Sequence, residues 1–308
     1  MSKALRIETA DASTWAGAFA LVFQHLPAEE RDIRIRNAIR LVENGEMNTE
    51  GIFVARRNGQ LAGALICLPI AGAAALVWPP QAALVADRKR VEDGLLHHAT
   101  LWMRREGAKL AQALLAPGEC QLAGALLRNG FSHPTSLWYM RHKLDHLPLP
   151  SSPLVLEPYT SCDPVAFRQT LERTYEETLD CPEVNGIRTI EEVVAGHRAQ
   201  GIHDPSRWWL ARLGEKPVGV LMVAEVADWG GWDLSYVGVV PEARGKGHGK
   251  HLTVRALVEA QRGGANEVTL SVDTRNTPAR VTYERAGFQK FDRREVYLIV
   301  WREPIPRE

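Results

Sequence analysis

The chain has no excess charge of either sign. Lys+Arg and Asp+Glu both number 37, a formal net charge of zero. That balance argues against a general nucleic-acid role or a polybasic membrane role, while leaving room for a local basic site. Cysteine is scarce: Cys67, Cys120, Cys162 and Cys181 stand far apart, with no Cys-x-x-Cys pair to hold zinc. Few, scattered cysteines in 308 residues fit a reducing, cytoplasmic setting. No stretch approaches the ~18 apolar residues of a membrane helix. The longest mild run, residues 61–77, is broken by Gly63, Pro69 and Gly72. The opening Met1-Ser2-Lys3-Ala4-Leu5-Arg6 lacks the apolar core of a signal peptide.

Apolar residues make up 45 % of the chain, enough for a packed core, and the length suits about two domains of roughly 150 residues. In the first half, periodicity predicts strands over 5–9, 51–57, 60–68, 73–78, 109–115 and 136–143, with helices over 14–25, 31–43, 90–106 and 121–128. Residues 147–158 carry Pro148, Pro150, Pro153, Pro158 and two serines, the composition of a linker or a strand lead-in. This sets the domains at 1–147 and 148–308. The second half predicts helices over 167–179 and 190–200, a hairpin of 208–213 with 218–226, and a turn at 229–232. A strand over 233–240, a helix over 251–262, a strand over 267–272, a short helix from Thr277 and a final strand pair over 288–301 follow.

The halves repeat. Ala55-Arg56-Arg57-Asn58-Gly59-Gln60-Leu61-Ala62-Gly63 resembles Ala211-Arg212-Leu213-Gly214-Glu215-Lys216-Pro217-Val218-Gly219. Leu126-Leu127-Arg128-Asn129-Gly130-Phe131 resembles Tyr283-Glu284-Arg285-Ala286-Gly287-Phe288 at nearly the same offset. Two matches at one spacing indicate a duplicated domain.

One stretch organises the second copy: Val237-Gly238-Val239-Val240-Pro241-Glu242-Ala243-Arg244-Gly245-Lys246-Gly247-His248-Gly249-Lys250. It reads as a strand stopped by Pro241, a glycine turn, and a helix whose Leu252, Ala256, Leu257 and Ala260 recur at helical spacing. Gly245, Gly247 and Gly249 let backbone N–H groups approach a bulky group, and a helix start adds free donors and a positive dipole end. Arg244, Lys246 and Lys250 add charge, so the simplest ligand is a phosphate or pyrophosphate. The loop is not the G-x-x-x-x-G-K-[ST] of a nucleoside triphosphatase. In the first copy the equivalent residues are Arg88-Lys89-Arg90-Val91-Glu92-Asp93, without glycine and with two carboxylates where a phosphate would sit. That copy is expected to be degenerate and structural.

The pattern V-x-V-x-P-x-x-R-G-x-G-x-G from Val237 to Gly249, followed by Asn276, Tyr283 and Gly287-Phe288, resembles the GNAT superfamily of acyl-CoA-dependent N-acyltransferases, and the duplicated chain resembles its tandem two-domain members. The resemblance implies an α/β (mixed α+β) fold of two tandem domains, each a twisted mixed β-sheet flanked by helices. It implies acetyl-CoA as cosubstrate, with no metal, lying between the strands at Val237–Val239 and at 268–272. The backbone of Val239 would bond the acyl or pantetheine arm, and the N–H groups of Arg244, Gly245, Lys246, Gly247, His248, Gly249 and Lys250 would cradle the pyrophosphate. His248 is expected to face solvent or touch the cosubstrate.

Direct acyl transfer needs a neutral amine and a proton for the departing thiolate. Tyr283 matches the family's proton donor. Asp233, heading the strand into the loop, and Glu225, ending the strand before it, compete as general base. Asn276 either bonds the cosubstrate or organises the helix start beside Thr277 as N-cap. The polar stretch 175–188 falls where the family binds its acceptor. Tyr175, Glu176, Asp180, Glu183, Asn185 and Arg188 are therefore substrate candidates, with acids that suit a cationic amine. Cys181 reads as a free thiol rather than a nucleophile, and His197 and His203 as surface residues. The implied activity is N-acetyl transfer to a small-molecule or peptide amine, with no nucleic-acid or membrane partner. A non-catalytic acyl-CoA sensor or scaffold is the alternative.

Overall fold

A computed structural model describes residues 5–147, 153–226 and 230–302; Pro148, Pro150 and Trp229 of the linker and turn readings lie outside these. The chain divides into two compact units that do not follow chain order. One comprises residues up to Pro134 together with those from Glu295 onward, and the other is Thr135–Arg294.

In the first unit the strands are β1 (Arg6–Thr9), β2 (Ile52–Arg57), β3 (Gln60–Ile70), β4 (Ala74–Ala82) and β5 (Leu110–Leu115). They hydrogen-bond in sequence order, antiparallel except for the parallel pair β4 and β5. Helices α1 (Trp15–Val22) and α2 (Ala28–Glu43) belong to one face, and α3 (Arg88–Arg105) and α4 (Ala123–Arg128) to the other, over cores centred on Phe19 and Ile52 and on Leu95 and Leu126. The sixth strand comes from the far end of the chain. Glu295–Val300 pairs antiparallel with Leu110–Leu115 and sends Tyr297 into the core.

The second unit repeats this plan. Its strands are β6 (Ser132–His142), β7 (Val155–Pro158), β8 (Trp208–Leu213), β9 (Lys216–Val226), β10 (Gly231–Val239) and β11 (Val268–Asp273). The order is β7-β8-β9-β10-β11, antiparallel except for parallel β10 and β11, and the sixth position is filled by Leu137–His142 of β6. Helices α5 (Pro164–Thr174) and α6 (Ile190–Arg198) cover one face, around Phe167 and Trp208. Helices α7 (His248–Arg262) and α8 (Thr277–Arg285) cover the other, around Leu252 and Leu270. The last strand, β12 (Gln289–Val300), is a single strand, where the sequence predicted a pair.

The duplication reaches single bonds. The register slips opposite Ala55 and Arg56, where Ala62 of β3 is the extra residue, and opposite Ala211 and Arg212, where Val218 of β9 is the extra residue, a β-bulge at the same place in both hairpins. Arg56 Nε donates to Glu8 at 2.8 Å and Arg212 Nε to Glu157 at 2.8 Å, and each guanidinium also reaches a carbonyl of its hairpin turn. These pairs repeat because the bulge turns the same residue outward at the same corner.

Local signals set the helix starts around the site. Asp163 caps α5 by accepting from the Val165 N–H with Pro164 in the first turn, and Thr189 with Glu192 forms a capping box on α6. Helix α5 stops at Thr174, five residues short of the predicted end, and Glu177 just beyond it has φ +52°. Helix α7 begins three residues earlier than predicted, inside the glycine run.

Because residues from the C-terminal end complete the first unit's sheet, Leu298→Ala, at a buried position paired with Gln112, should cost about 2–5 kcal/mol. Hydrogen exchange should show the loss of protection at residues 110–115, with residues 208–226 unaffected. Equal loss in both units would contradict this division.

Candidate active site

The site is built on a fault in the second sheet. Strands β10 and β11 pair only at Trp232↔Val268 and Asp233↔Thr269. A bulge between Asp233 and Tyr236 then turns β10 away. Beyond it, Val237, Gly238 and Val239 stay bonded to β9, and residues 270–273 stay bonded to β6, but the two strands no longer bond each other. The parted edges present backbone donors and acceptors that need partners. Helix α5 crosses β10 closely: a Cβ on Gly238 would lie 2.7 Å from Thr174, so only glycine fits.

At the C-terminal end of β10 the chain makes a tight turn and enters α7. Gly245 and Gly247 have φ +75° and +84°, and Gly247 is the helix N-cap. No backbone acceptor among the described residues takes up the N–H groups of Gly245 to Lys250, and those at the start of α7 have no intrahelical partner. They converge with the positive dipole end. Lys250 is exposed, while Lys246 Nζ donates to the Glu242 carbonyl at 2.9 Å.

Arg244 points away from any loop ligand. Its Nε donates to the Val239 carbonyl at 3.0 Å, and its Nη atoms reach the carbonyls of Thr174, Glu176 and Glu177, the shortest at 2.6 Å. These are the open carbonyls at the end of α5, which explains why that helix stops there. His248, expected to face solvent or the cosubstrate, is buried, and neither ring nitrogen has a hydrogen-bond partner among the described residues. As the first residue of α7 it turns inward with the helix's apolar face.

Tyr283 is buried on α8 against Phe288. Burial, aided by the charge of Asp180, pushes its phenol well above the usual tyrosine range, so it keeps its proton at any pH of interest. Asn276 proves to be the N-cap of α8 itself, its Oδ1 accepting from the Ala279 N–H at 3.2 Å, in place of the expected Thr277. Asp233 sits at the last paired position before the strands part, accepting from the Thr269 hydroxyl at 3.2 Å, and burial raises its pKa. Glu225 is held by Arg207 at 2.7 Å, and that guanidinium lies over the Trp232 ring. Its carboxylate has a structural partner.

Beyond the end of α5 the chain walls a cavity of about 110 Å³, lined among others by Tyr175, Asp180, Cys181, Asn185 and Arg188. Asp180 is exposed as a residue, while its carboxyl accepts from the Asp273 N–H at 3.3 Å. Desolvation and the neighbouring charge of Asp273 push its pKa up to about 6. Glu183 stands apart from the cavity lining. Arg275 grips it at 2.7 and 2.9 Å and holds its carboxyl below the usual range. Asn185 ties the loop back to the Tyr175 carbonyl at 3.1 Å.

Asp180, Cys181 and Asp273 bring donor atoms within 4.8 Å of one another. Asp273 is committed elsewhere: Thr135, Arg275 and the Cys181 N–H all donate to it, so the cluster is a hydrogen-bond hub. Burial and the surrounding carboxylates push the Cys181 thiol far up, leaving it a poor nucleophile.

The sequence reading missed the aromatic wall behind this cavity. Tyr236 on β10 contacts the Thr174 hydroxyl at 2.7 Å, and its ring lies 5.3 Å from those of Tyr175 and His197. His197, read as a surface residue, is half-buried, with Gln200 at 3.2 Å from Nδ1 and the Tyr175 hydroxyl at 3.3 Å from Nε2. Burial lowers its pKa to about 4, so it is neutral at pH 7. His203 likewise packs edge-on against Trp208. The spacing of Tyr175 and Tyr236 carries no mutual signal, since 60 residues of chain separate a helix end from a strand; Asp273 and Arg275, next to Asn276, could have been noticed.

A family model described as "Acetyltransferase (GNAT) family" matches residues 171–288. Mycothiol acetyltransferase of Thermobispora bispora is 31 % identical over 228 residues, covering 69 % of this chain and 74 % of that one. Mycothiol acetyltransferase of an Arthrobacter species is 46 % identical over 65 residues, 21 % of this chain and 20 % of that one. A GCN5-related N-acetyltransferase from Sphaerobacter thermophilus shares the fold at a TM-score of 0.63 and 19 % identity, covering 98 % of this chain and 97 % of that one. A tandem GNAT protein from the clavulanic acid biosynthesis pathway shares it at 0.50 and 17 % identity, covering 99 % of this chain and all of the other. The parted strands, the glycine turn and these likenesses agree, and the chain belongs to the acetyltransferase (GNAT) family.

Proposed function

We propose that the chain transfers an acetyl group from acetyl-CoA directly to the amine of a small molecule or peptide, and that the Thr135–Arg294 unit carries the reaction. The observation that supports this most is the parting of β10 from β11 past Asp233, beside a helix start whose N–H groups are free. The residues fit the cosubstrate. Val237 and Val239 would meet its arm through backbone groups, and the N–H groups of Gly245 to Lys250 would meet its pyrophosphate, as at other helix starts that bind phosphates. Lys250 would add charge. Arg244 would act from behind, holding β10 and the end of α5 in place. Asn276 would hold the start of α8 and so fix Tyr283.

Acetyl-CoA supplies an activated thioester. The chain supplies the proton handling. Tyr283, kept protonated by burial, holds a proton for the leaving thiolate, although the same burial makes the phenol a weaker acid. Asp233, with a raised pKa at the mouth of the gap, is suited to take the proton of the amine, and Asp180 to hold that amine while still cationic. Glu225 is left out because Arg207 holds it. The first unit is proposed to bind no second cosubstrate. Where the glycines stand in the second copy, α3 has Glu92, buried and paired with Arg88 and Arg128, and Asp93, also on Arg128. The relatives named for mycothiol leave the acceptor of this chain open. A sensor role is separated from catalysis by thiol release from acetyl-CoA in the presence of amines: none with any amine would favour the sensor.

Tyr283→Phe should lower turnover by about 10²-fold while acetyl-CoA still binds. Steady-state thiol release with parallel calorimetry checks this, and unchanged turnover removes Tyr283 from the mechanism. The Asp180 carboxyl is ionised above its raised pKa and neutral below it. For a cationic acceptor, kcat/KM should therefore fall as pH drops through about 6. Asp180→Asn should lose that limb of the pH profile, and a limb that survives would assign it to another group.

A further inference from the structure

The cavity at the end of α5 contains a cation that no residue answers. Arg188 lines it, half-buried, and makes no ion pair or hydrogen bond with any described residue. Its Nε is buried without a partner. A buried guanidinium donor with no acceptor is an expensive arrangement to keep, and three other arginines of this region are occupied. Arg173 pairs with Glu242, Arg244 with four carbonyls, and Arg275 with Glu183 and Asp273.

The cavity has an acid as well. Asp180 and Glu172 line it, yet neither lies within ion-pair distance of Arg188. Asp180 accepts from the backbone of Asp273, and its charge is felt by Tyr283 and by Tyr175. The charge of Arg188 is felt by His197 and also by Tyr175, so the Tyr175 ring lies within reach of both charges. The rest of the lining includes Tyr175, Val184, Ile190 and Val193, with Thr178 and Asn185 as polar members. At about 110 Å³ the space is several times the ~10–15 Å³ that one water needs.

An anion and a cation that line one small cavity without pairing match a ligand with the opposite charges at its two ends. We propose that the acceptor is an amino acid or a short peptide, bound with its amine toward Asp180 and its carboxylate on the guanidinium of Arg188. This deepens the acetyltransferase reading and rests on it. A guanidinium suits a carboxylate because its planar donors meet both oxygens at once. The closed ring of Tyr175, His197 and Tyr236 behind the cavity stiffens that wall, and neutral His197 adds no charge to compete with Arg188.

Matched acceptors test it: an α-amino acid, its amide, and the amine left when the carboxylate is removed, each followed by thiol release from acetyl-CoA. The carboxylate should raise kcat/KM by about 10- to 100-fold in the native chain. In Arg188→Gln the ratio between acid and amine should collapse toward one, and Arg188→Lys should restore part of it. A native ratio near one, or the same ratio in Arg188→Gln, overturns the proposal while leaving the acetyltransferase reading intact. Absence of thiol release with every amine sinks the acetyltransferase reading instead. The carboxylate site is then decided by calorimetry with an N-acetyl amino acid, which should bind the native chain at least ~10-fold more tightly than Arg188→Gln. No difference between the two would overturn it.

Discussion

The second unit depends on one guanidinium. Arg244 stands just before the glycine turn, yet it spends its donors on the carbonyl of Val239 at the end of β10 and on three carbonyls at the end of α5. Each bond is modest alone, about 1.5–3 kcal/mol when one partner is charged. Together they fix three things: where β10 ends, where α5 ends, and where the turn between Arg244 and α7 begins. The free N–H groups of the turn and the cavity beyond α5 are positioned from the same point.

The duplicated plan shows which parts of the fold are generic. The bulge and the arginine–glutamate pair recur at Arg56 and Arg212 because both serve the hairpin corner of the sheet. The arginine that precedes α7 has a counterpart in Arg88, which instead pairs with Glu92 one turn on. The first copy keeps the helix in its place and fills its start with paired charges. A carboxylate near a helix start suits the positive end of the helix dipole.

Electrostatics in the second unit are arranged in two tiers. Arg275 bonds both Glu183 and Asp273, so that hub is a structural brace. Asp180 and Arg188 are left with weaker commitments, and Tyr283 and Asp233 are kept protonated more readily than in water by burial. Groups with compensated charge hold the loop, and groups with uncompensated charge face the cavity. This is the division expected where a binding site is carried on a braced scaffold.

Much was legible in the chain itself. The duplication, the mixed sheets and the glycine turn follow from local signals: repeated hairpin corners, alternation along strands, and glycine where φ is positive. Tyr283 could be marked because it lies in a motif of fixed spacing. Tertiary structure alone decided the rest. The exchange of the last strands between units is invisible to periodicity, since Glu295–Val300 and Leu137–His142 would read as strands in either sheet. The end of α5 is set by Arg244, 70 residues away from Thr174. His197 read as a surface residue, and His248 as facing solvent or the cosubstrate, because sequence shows which residues neighbour in the chain, and burial depends on what packs above them. Asp180 and Arg188 could be listed as polar residues of one loop; that they face one cavity without pairing is a fact of distance, which only the folded chain holds.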